Sequence, residues 1–276
     1  VPHLVLVPLG ELGAIPYAAA WTSDPAMRGG RRYAVDDLLL THAVSARLLA
    51  EVARRPRLPL HERVVLVTDP TGEFPYARAT AHSLADTLYP SATVYGRGRH
   101  AEGPAATANL LAALPGTDSP GASLLHLSTH ATTVPVPRLQ TADGWLPRAR
   151  ILAQARGRPP HVAGGIVVTN ACLTDSTSAH YDESVTLATA LLAAGATGVI
   201  GTRWPIDDDT SSTLTHCLHH HLAAGHPPAA ALRLAQLDLL GDGPPRPPGL
   251  HPHLAALGRA RLAHPASWSG YVHHGR

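Results

Sequence analysis

Short, almost unbroken apolar runs alternate along this chain with segments of helical period, and that alternation predicts its architecture. Residues 3–8, 63–68, 92–95, 124–129, 166–170 and 197–201 read as strands. Strands with no polar face are those covered by helices on both sides. Between them, residues 44–54, 77–88, 105–114, 185–194 and 210–223 space their apolar side chains as helices do. Strand–helix alternation favours right-handed crossovers and a mostly parallel sheet, so the expected class is α/β. Residues 137–151, which contain Asp143-Gly144, are expected to form a hairpin between two of the strands. Residues 241–252, with Gly243-Pro244-Pro245-Arg246-Pro247-Pro248, read as a semi-rigid connector inside one domain spanning 1–276.

Composition narrows the function classes. With 276 residues, 45% of them hydrophobic, the chain can bury one large core. The net charge is only +2, and all 22 basic residues are arginines. They fall in short groups at 28–32, 54–57 and 97–99, with no basic stripe interleaved with aromatics, which argues against nucleic acid as a partner. The lack of lysine beside heavy Ala, Pro, Gly and Arg use points to a GC-rich genome as the source. The two cysteines, Cys172 and Cys217, cannot supply a disulfide framework, so a reducing cytoplasm is expected. No secretory pattern opens the chain and no apolar run reaches membrane-spanning length, so no membrane association is expected. The chain enters a strand-like segment directly from Val1, which reads as a piece of a longer protein.

The candidate chemistry sits where two of those strands end. Ser123-Leu124-Leu125-His126-Leu127-Ser128-Thr129 runs into His130, and Gly165-Ile166-Val167-Val168-Thr169-Asn170-Ala171 runs into Cys172. Parallel strands in an open α/β sheet bring their carboxyl ends to one edge, where a thiol and an imidazole can meet as nucleophile and base. The bland alternative is a buried cysteine beside a satisfied strand histidine. His126 shares a strand face with His130 but lies deeper, and reads as structural. The chain holds 19 histidines. His216, Cys217, His219, His220 and His221 crowd one predicted helix, and His216 and His220 have the spacing of two ligands on one face. Without a His-Glu-x-x-His signature this face is read as solvated, and no metal or other cofactor is expected. Trp204-Pro205-Ile206-Asp207-Asp208-Asp209 follows a strand and opens a helix, where Asp208 or Asp209 would suit the N-cap. No Gly-x-Ser-x-Gly elbow or phosphate-binding Gly-Lys-Ser/Thr loop is present.

Several ordered motifs carry a resemblance. The opening Leu6-Val7-Pro8-Leu9-Gly10-Glu11-Leu12 with Ile15-Pro16-Tyr17-Ala18-Ala19 is one, and His126-Leu127-Ser128-Thr129-His130-Ala131 is another. Ala142-Asp143-Gly144-Trp145-Leu146 and Asn170-Ala171-Cys172 follow. Then come Gly195-Ala196 through Trp204-Pro205-Ile206-Asp207-Asp208, and His264-Pro265-Ala266-Ser267-Trp268-Ser269-Gly270-Tyr271. Together they resemble the CHAT domains, caspase-like peptidases of the clan that includes caspases, separases and gingipains. The resemblance implies a caspase-like three-layer α/β/α sandwich and a cysteine endopeptidase that uses a His130/Cys172 dyad. It implies an oxyanion site at the main-chain amides of Ala131 and Cys172, and protein substrates. An acidic residue would receive a basic side chain just before the scissile bond. Asp208 is the first choice and Asp207 the second, with Trp204 and Asp175 as further lining; Asp182 and Glu183 are weaker candidates. Such domains act as effectors of bacterial signalling or defence proteins, with an upstream sensor or repeat domain in the same full-length chain. The alternative is a catalytically silent caspase-like scaffold. Leu173, Ser269 and Tyr271 depart from the family pattern, and those departures bear on specificity.

Overall fold

A nine-stranded sheet runs through the molecule. In chain order its strands are β1 (His3–Leu6), β2 (Leu39–His42), β3 (Val64–Thr68), β4 (Thr93–Gly96), β5 (Ala101–Gly103), β6 (Leu124–Ser128), β7 (Ile166–Asn170), β8 (Gly198–Thr202) and β9 (Tyr271–Gly275). This computed structural model describes residues 1–117, 119–159, 161–175, 186–241 and 247–276. Across the sheet the order is β1-β2-β9-β8-β7-β6-β3-β4-β5. Neighbouring strands are parallel throughout, except that β8 and β9 are antiparallel. The expected strands all form, within a residue or two of their predicted bounds. β2, β5 and β9 were not predicted.

Seven helices matter for the layers: α1 (Ala46–Ala53), α2 (Pro75–Thr87), α3 (Thr107–Ala113), α4 (Arg148–Gln154), α5 (Leu187–Ala193), α6 (Asp208–Ala223) and α7 (Pro228–Leu240). Because side chains alternate along a strand, each central strand feeds two cores. Val64, Leu66, Leu124, Val168 and Ile200 pack with Leu84 of α2, Leu214 and Leu218 of α6, and Leu232 and Leu239 of α7. Val65, Val67, Leu125, Leu127, Val167 and Val199 pack with Val52 of α1, Leu110 of α3, Ile151 of α4 and Leu191 of α5. This is a three-layer α/β/α sandwich with a mostly parallel sheet, as the apolar strands imply.

Local chemistry fixes the helix ends. Leu214, Cys217, Leu218 and Leu222 form the apolar stripe of α6, and Gly225 at φ +89 turns the chain out of it. α7 opens on Pro228 and stops at Gly241, which is left-handed at φ 89. The predicted hairpin is present: Thr141 pairs with Gly144 across a two-residue turn. The Asp143 carboxylate in that turn accepts the Thr107 amide at 2.8 Å, so the hairpin caps α3. Residues 242–246 of the expected connector lie outside the described residues.

Candidate active site

The paired segments of β6 and β7 end in register, Asn170 opposite Ser128. His130 and Cys172 each lie two residues beyond that pair, on strands about 4.8 Å apart. Leu124 and Val168, of the same parity, face α2 and α6, so both chain ends are aimed at one rim on one side of the sheet. The backbone there is not relaxed. Among the described residues other than glycine, only Asp69 (φ 49) and Leu173 (φ 60) are left-handed. Asp69 follows β3, the other neighbour of β6, and Leu173 follows the cysteine. Strain of this kind collects at functional rims.

Cys172 is partly buried. Burial pushes its thiol up, while the main-chain amides of Ile206 and of Cys172 itself pull it down. His130 is 39% exposed, and its Nε2 lies 3.0 Å from Glu73 Oε2. The Phe74 ring packs on the imidazole at 4.4 Å between centroids. Ala131 starts a short strand that pairs Leu139, while the Gln140 amide donates to the His130 carbonyl at 2.8 Å. Bonded and non-bonded pairs alternate in an antiparallel ladder, which turns the Ala131 N–H away from the hairpin.

A narrow cleft of about 20 Å³ opens beside Cys172, lined by Phe74, Thr129, Asn170, Ile206, Asp208 and Tyr271 among others. Asp208 is the first residue of α6, yet it caps another helix. Its Oδ2 accepts the Tyr76 amide at 2.9 Å and its Oδ1 the Ala77 amide at 3.0 Å, both in the first turn of α2. The expectation that Asp208 or Asp209 caps α6 is therefore corrected: Asp207 holds the N-cap position, with no side-chain cap bond. Burial pushes the Asp208 carboxyl up, against the pull of those two amides and Ser212. The opposite wall is fixed from behind. The Tyr271 hydroxyl donates to Asn170 Oδ1 at 2.8 Å, and the Asn170 amide reaches Ser128 Oγ at 3.4 Å. Ser128 Oγ in turn bonds His126 Nε2 at 2.7 Å, His126 Nδ1 bonds His219 Nε2 at 3.0 Å, and His219 Nδ1 meets the Tyr89 hydroxyl at 3.2 Å. His126 is thus a buried link in a polar chain that ends at the cleft.

The other predicted lining residues go elsewhere. Asp207 is exposed and pairs with Arg261 at 2.8 Å. Trp204 donates from Nε1 to the Ala266 carbonyl at 2.9 Å. Asp175 is buried, bonded to His274 at 2.8 Å and Arg203 at 3.4 Å. Trp204 and Asp175 border a separate cavity of about 200 Å³ with His42, Arg203 and Thr189. That cavity is larger, but Cys172 lines the narrow cleft and not this one, so the narrow cleft is the candidate site. Asp182 and Glu183 lie outside the described residues. The histidine face of α6 is not solvated, contrary to expectation. His216 and His219 are buried, His216 and His220 each bond the Pro248 carbonyl, and His221 bonds Asp238. Among the described residues, no three His, Cys, Asp or Glu side chains are grouped to hold a metal. Nor is any described helix long and apolar enough to cross a membrane.

Sequence gave no sign of Glu73, because it meets His130 only through a turn that follows another strand. Asn170 stood two residues before the cysteine, where strand alternation alone could have flagged it.

Known structures share this architecture. Saccharomyces cerevisiae separase in its securin complex is 13% identical, with a TM-score of 0.56 over 87% of this chain and 14% of that one. The Arg-specific cysteine proteinase gingipain R is 10% identical, with a TM-score of 0.54 over 87% of this chain and 54% of that one. The chain therefore spans a small part of separase and about half of gingipain R, and at these identities the likeness shows the caspase-like cysteine peptidase fold alone. No curated protein sequence matches the chain. The CHAT domain model matches residues 1–276, and the chain belongs to the CHAT domain family.

Proposed function

We propose that the chain is a cysteine endopeptidase in which Cys172 attacks the scissile carbonyl and His130 moves the proton. The observation that carries this reading is the register of β6 and β7, which gives a thiol and an imidazole equivalent positions past one rim. In the reaction the thiol proton passes to the imidazole as Sγ bonds to the carbonyl carbon. The amides of Ala131 and Cys172 would face the developing oxyanion. The imidazolium then protonates the leaving amine, and water releases the acyl group.

Cleavage after Arg or Lys is the specificity this cleft favours. Asp208 is the carboxylate that borders it; its Oδ1 accepts both the Ala77 amide and the Ser212 hydroxyl, while Oδ2 keeps a lone pair beyond the Tyr76 amide. A basic side chain would restore a charge partner to a carboxyl that burial disfavours, whereas an apolar one would leave it unpaired. The Arg specificity of gingipain R is consistent with this reading. By family analogy the substrate is a protein, the setting a bacterial cytoplasm, and the trigger a sensor elsewhere in the full-length chain.

The test is a panel of fluorogenic peptides differing at the residue before the reporter. Arg and Lys peptides are expected to be cut, with loss of turnover in Cys172→Ala and in His130→Ala, and with thiol alkylation but not chelation inhibiting. Equal turnover by Cys172→Ala would remove the assignment. No turnover on any peptide by the activated full-length chain would favour a silent scaffold.

A further inference from the structure

We infer that Glu73 is a positioning residue for His130, holding the ring so that Nε2 carries a proton and Nδ1 presents its lone pair to Cys172. This deepens the peptidase reading and rests on His130 being the base of that site.

The turn after β3 is anchored at Asp69. Asp69 is fully buried and left-handed, and its amide and both carboxylate oxygens are committed. Its amide donates to the Ser128 carbonyl at 2.9 Å, which ties the turn to the last residue of the histidine strand. Its Oδ1 accepts the Phe74 amide at 2.9 Å, and its Oδ2 pairs with Arg78 at 2.9 Å. Residues 69–74 are thus closed into a loop fixed to the carboxyl end of β6. That loop delivers the Glu73 carboxylate to Nε2 and the Phe74 ring to the imidazole face.

Proton accounting then assigns the ring. Bonds from Thr71 and His130 hold the Glu73 carboxyl below the usual carboxylate range, so it is ionised at neutral pH and can only accept. The Thr71 hydroxyl donates to Oε2 at 2.7 Å, and the His130 contact to the same oxygen at 3.0 Å must therefore be Nε2–H donating. A neutral ring with its proton on Nε2 has a bare Nδ1, which is the nitrogen left to take the thiol proton. Asp69 and Arg78 neutralise each other beneath the turn. Among the described residues no other carboxylate bonds this ring. At 63% exposure Glu73 contributes little as a charge; its effect is orientation.

The test uses the chain labelled with ¹⁵N-histidine, reading the ring nitrogens of His130 by long-range ¹⁵N–¹H correlation without substrate. The wild type is expected to show Nε2 protonated and Nδ1 bare in the neutral ring. In Glu73→Ala the ring is expected to average between both neutral tautomers, and kcat/KM to fall about tenfold, mainly through kcat. Because Glu73 is exposed, an unchanged backbone amide spectrum should confirm that the variant folds. An unaltered His130 tautomer in Glu73→Ala, or a wild type protonated on Nδ1 alone, would overturn the inference. The tautomer is read independently of turnover. A chain that never cuts peptides, yet changes tautomer in the variant, would defeat the peptidase reading and leave this assignment standing.

Discussion

Cys172 and Cys217 pose the sharpest contrast between two like side chains in this molecule. Cys217 is 1% exposed in the core beneath α6, whereas Cys172 is half-buried at the cleft. Iodoacetamide is therefore expected to label Cys172 alone under native conditions, as peptide mass spectrometry would show. Since burial pushes this thiol up, the rate should still be climbing above the pH at which an ordinary thiol is half ionised, and His130→Ala should slow it near neutrality. Asp208 carries two duties. Asp208→Ala is expected to abolish any preference for basic peptides and to lower stability by about 1–2 kcal/mol, because α2 loses the acceptor of two first-turn amides. Peptide profiling and urea unfolding of the same variant separate the two effects. Leu173 sits at φ 60, where glycine is at ease, so Leu173→Gly should raise stability by about 1 kcal/mol in the same urea assay. At this scale the sequence marked the candidate thiol and imidazole, because each closes an apolar strand. It did not disclose Glu73 or the capping partner of Asp208, whose contacts join segments 57 and 131–132 residues apart.

At the scale of elements, β2 and β9 went unpredicted because their residues look half polar. β9 reads Tyr-Val-His-His-Gly, yet every one of its residues is buried. Its histidines meet tertiary partners that no local pattern reveals: His273 Nδ1 bonds Thr41 at 3.0 Å and His274 Nε2 lies 2.8 Å from Asp175. The predicted strands were legible because nothing polar interrupts them. α7 was missed for the converse reason, since Ala and Leu surround most of its circumference and blur the period. The buried histidines have a consequence in solution. Burial lowers His126 to about 4 and His219 well below its usual value, so both rings are neutral in the fold. The unfolded chain takes up protons near pH 6.5, so stability is full above that pH and is lost as the pH falls toward about 4. His126 alone accounts for about 3 kcal/mol of that loss. Thermal unfolding followed from pH 7.5 to pH 4.5 should show a steady fall in Tm. A flat profile would mean that the relay is protonated in the folded chain.

Over the whole molecule, the sheet order brings together what the sequence holds apart. β6 and β7 lie side by side near the centre, with β3 and β8 flanking them, so four strand ends share the rim. Each contributes one part: the Asp69 turn with Glu73, His130, Cys172, and the segment leading to Asp208. The backbone is shared with separase and gingipain R at 10–13% identity, so little beyond the fold is held in common with them. The activity therefore has to be judged at the cleft itself. The most direct measurement is a peptidyl-arginine acyloxymethyl ketone, followed by intact mass and a structure of the adduct. The account predicts one adduct, a thioether on Cys172 Sγ, with the arginine side chain against Asp208 and His130 beside the sulfur. No adduct, an adduct on Cys217, or an arginine directed away from Asp208 would contradict it.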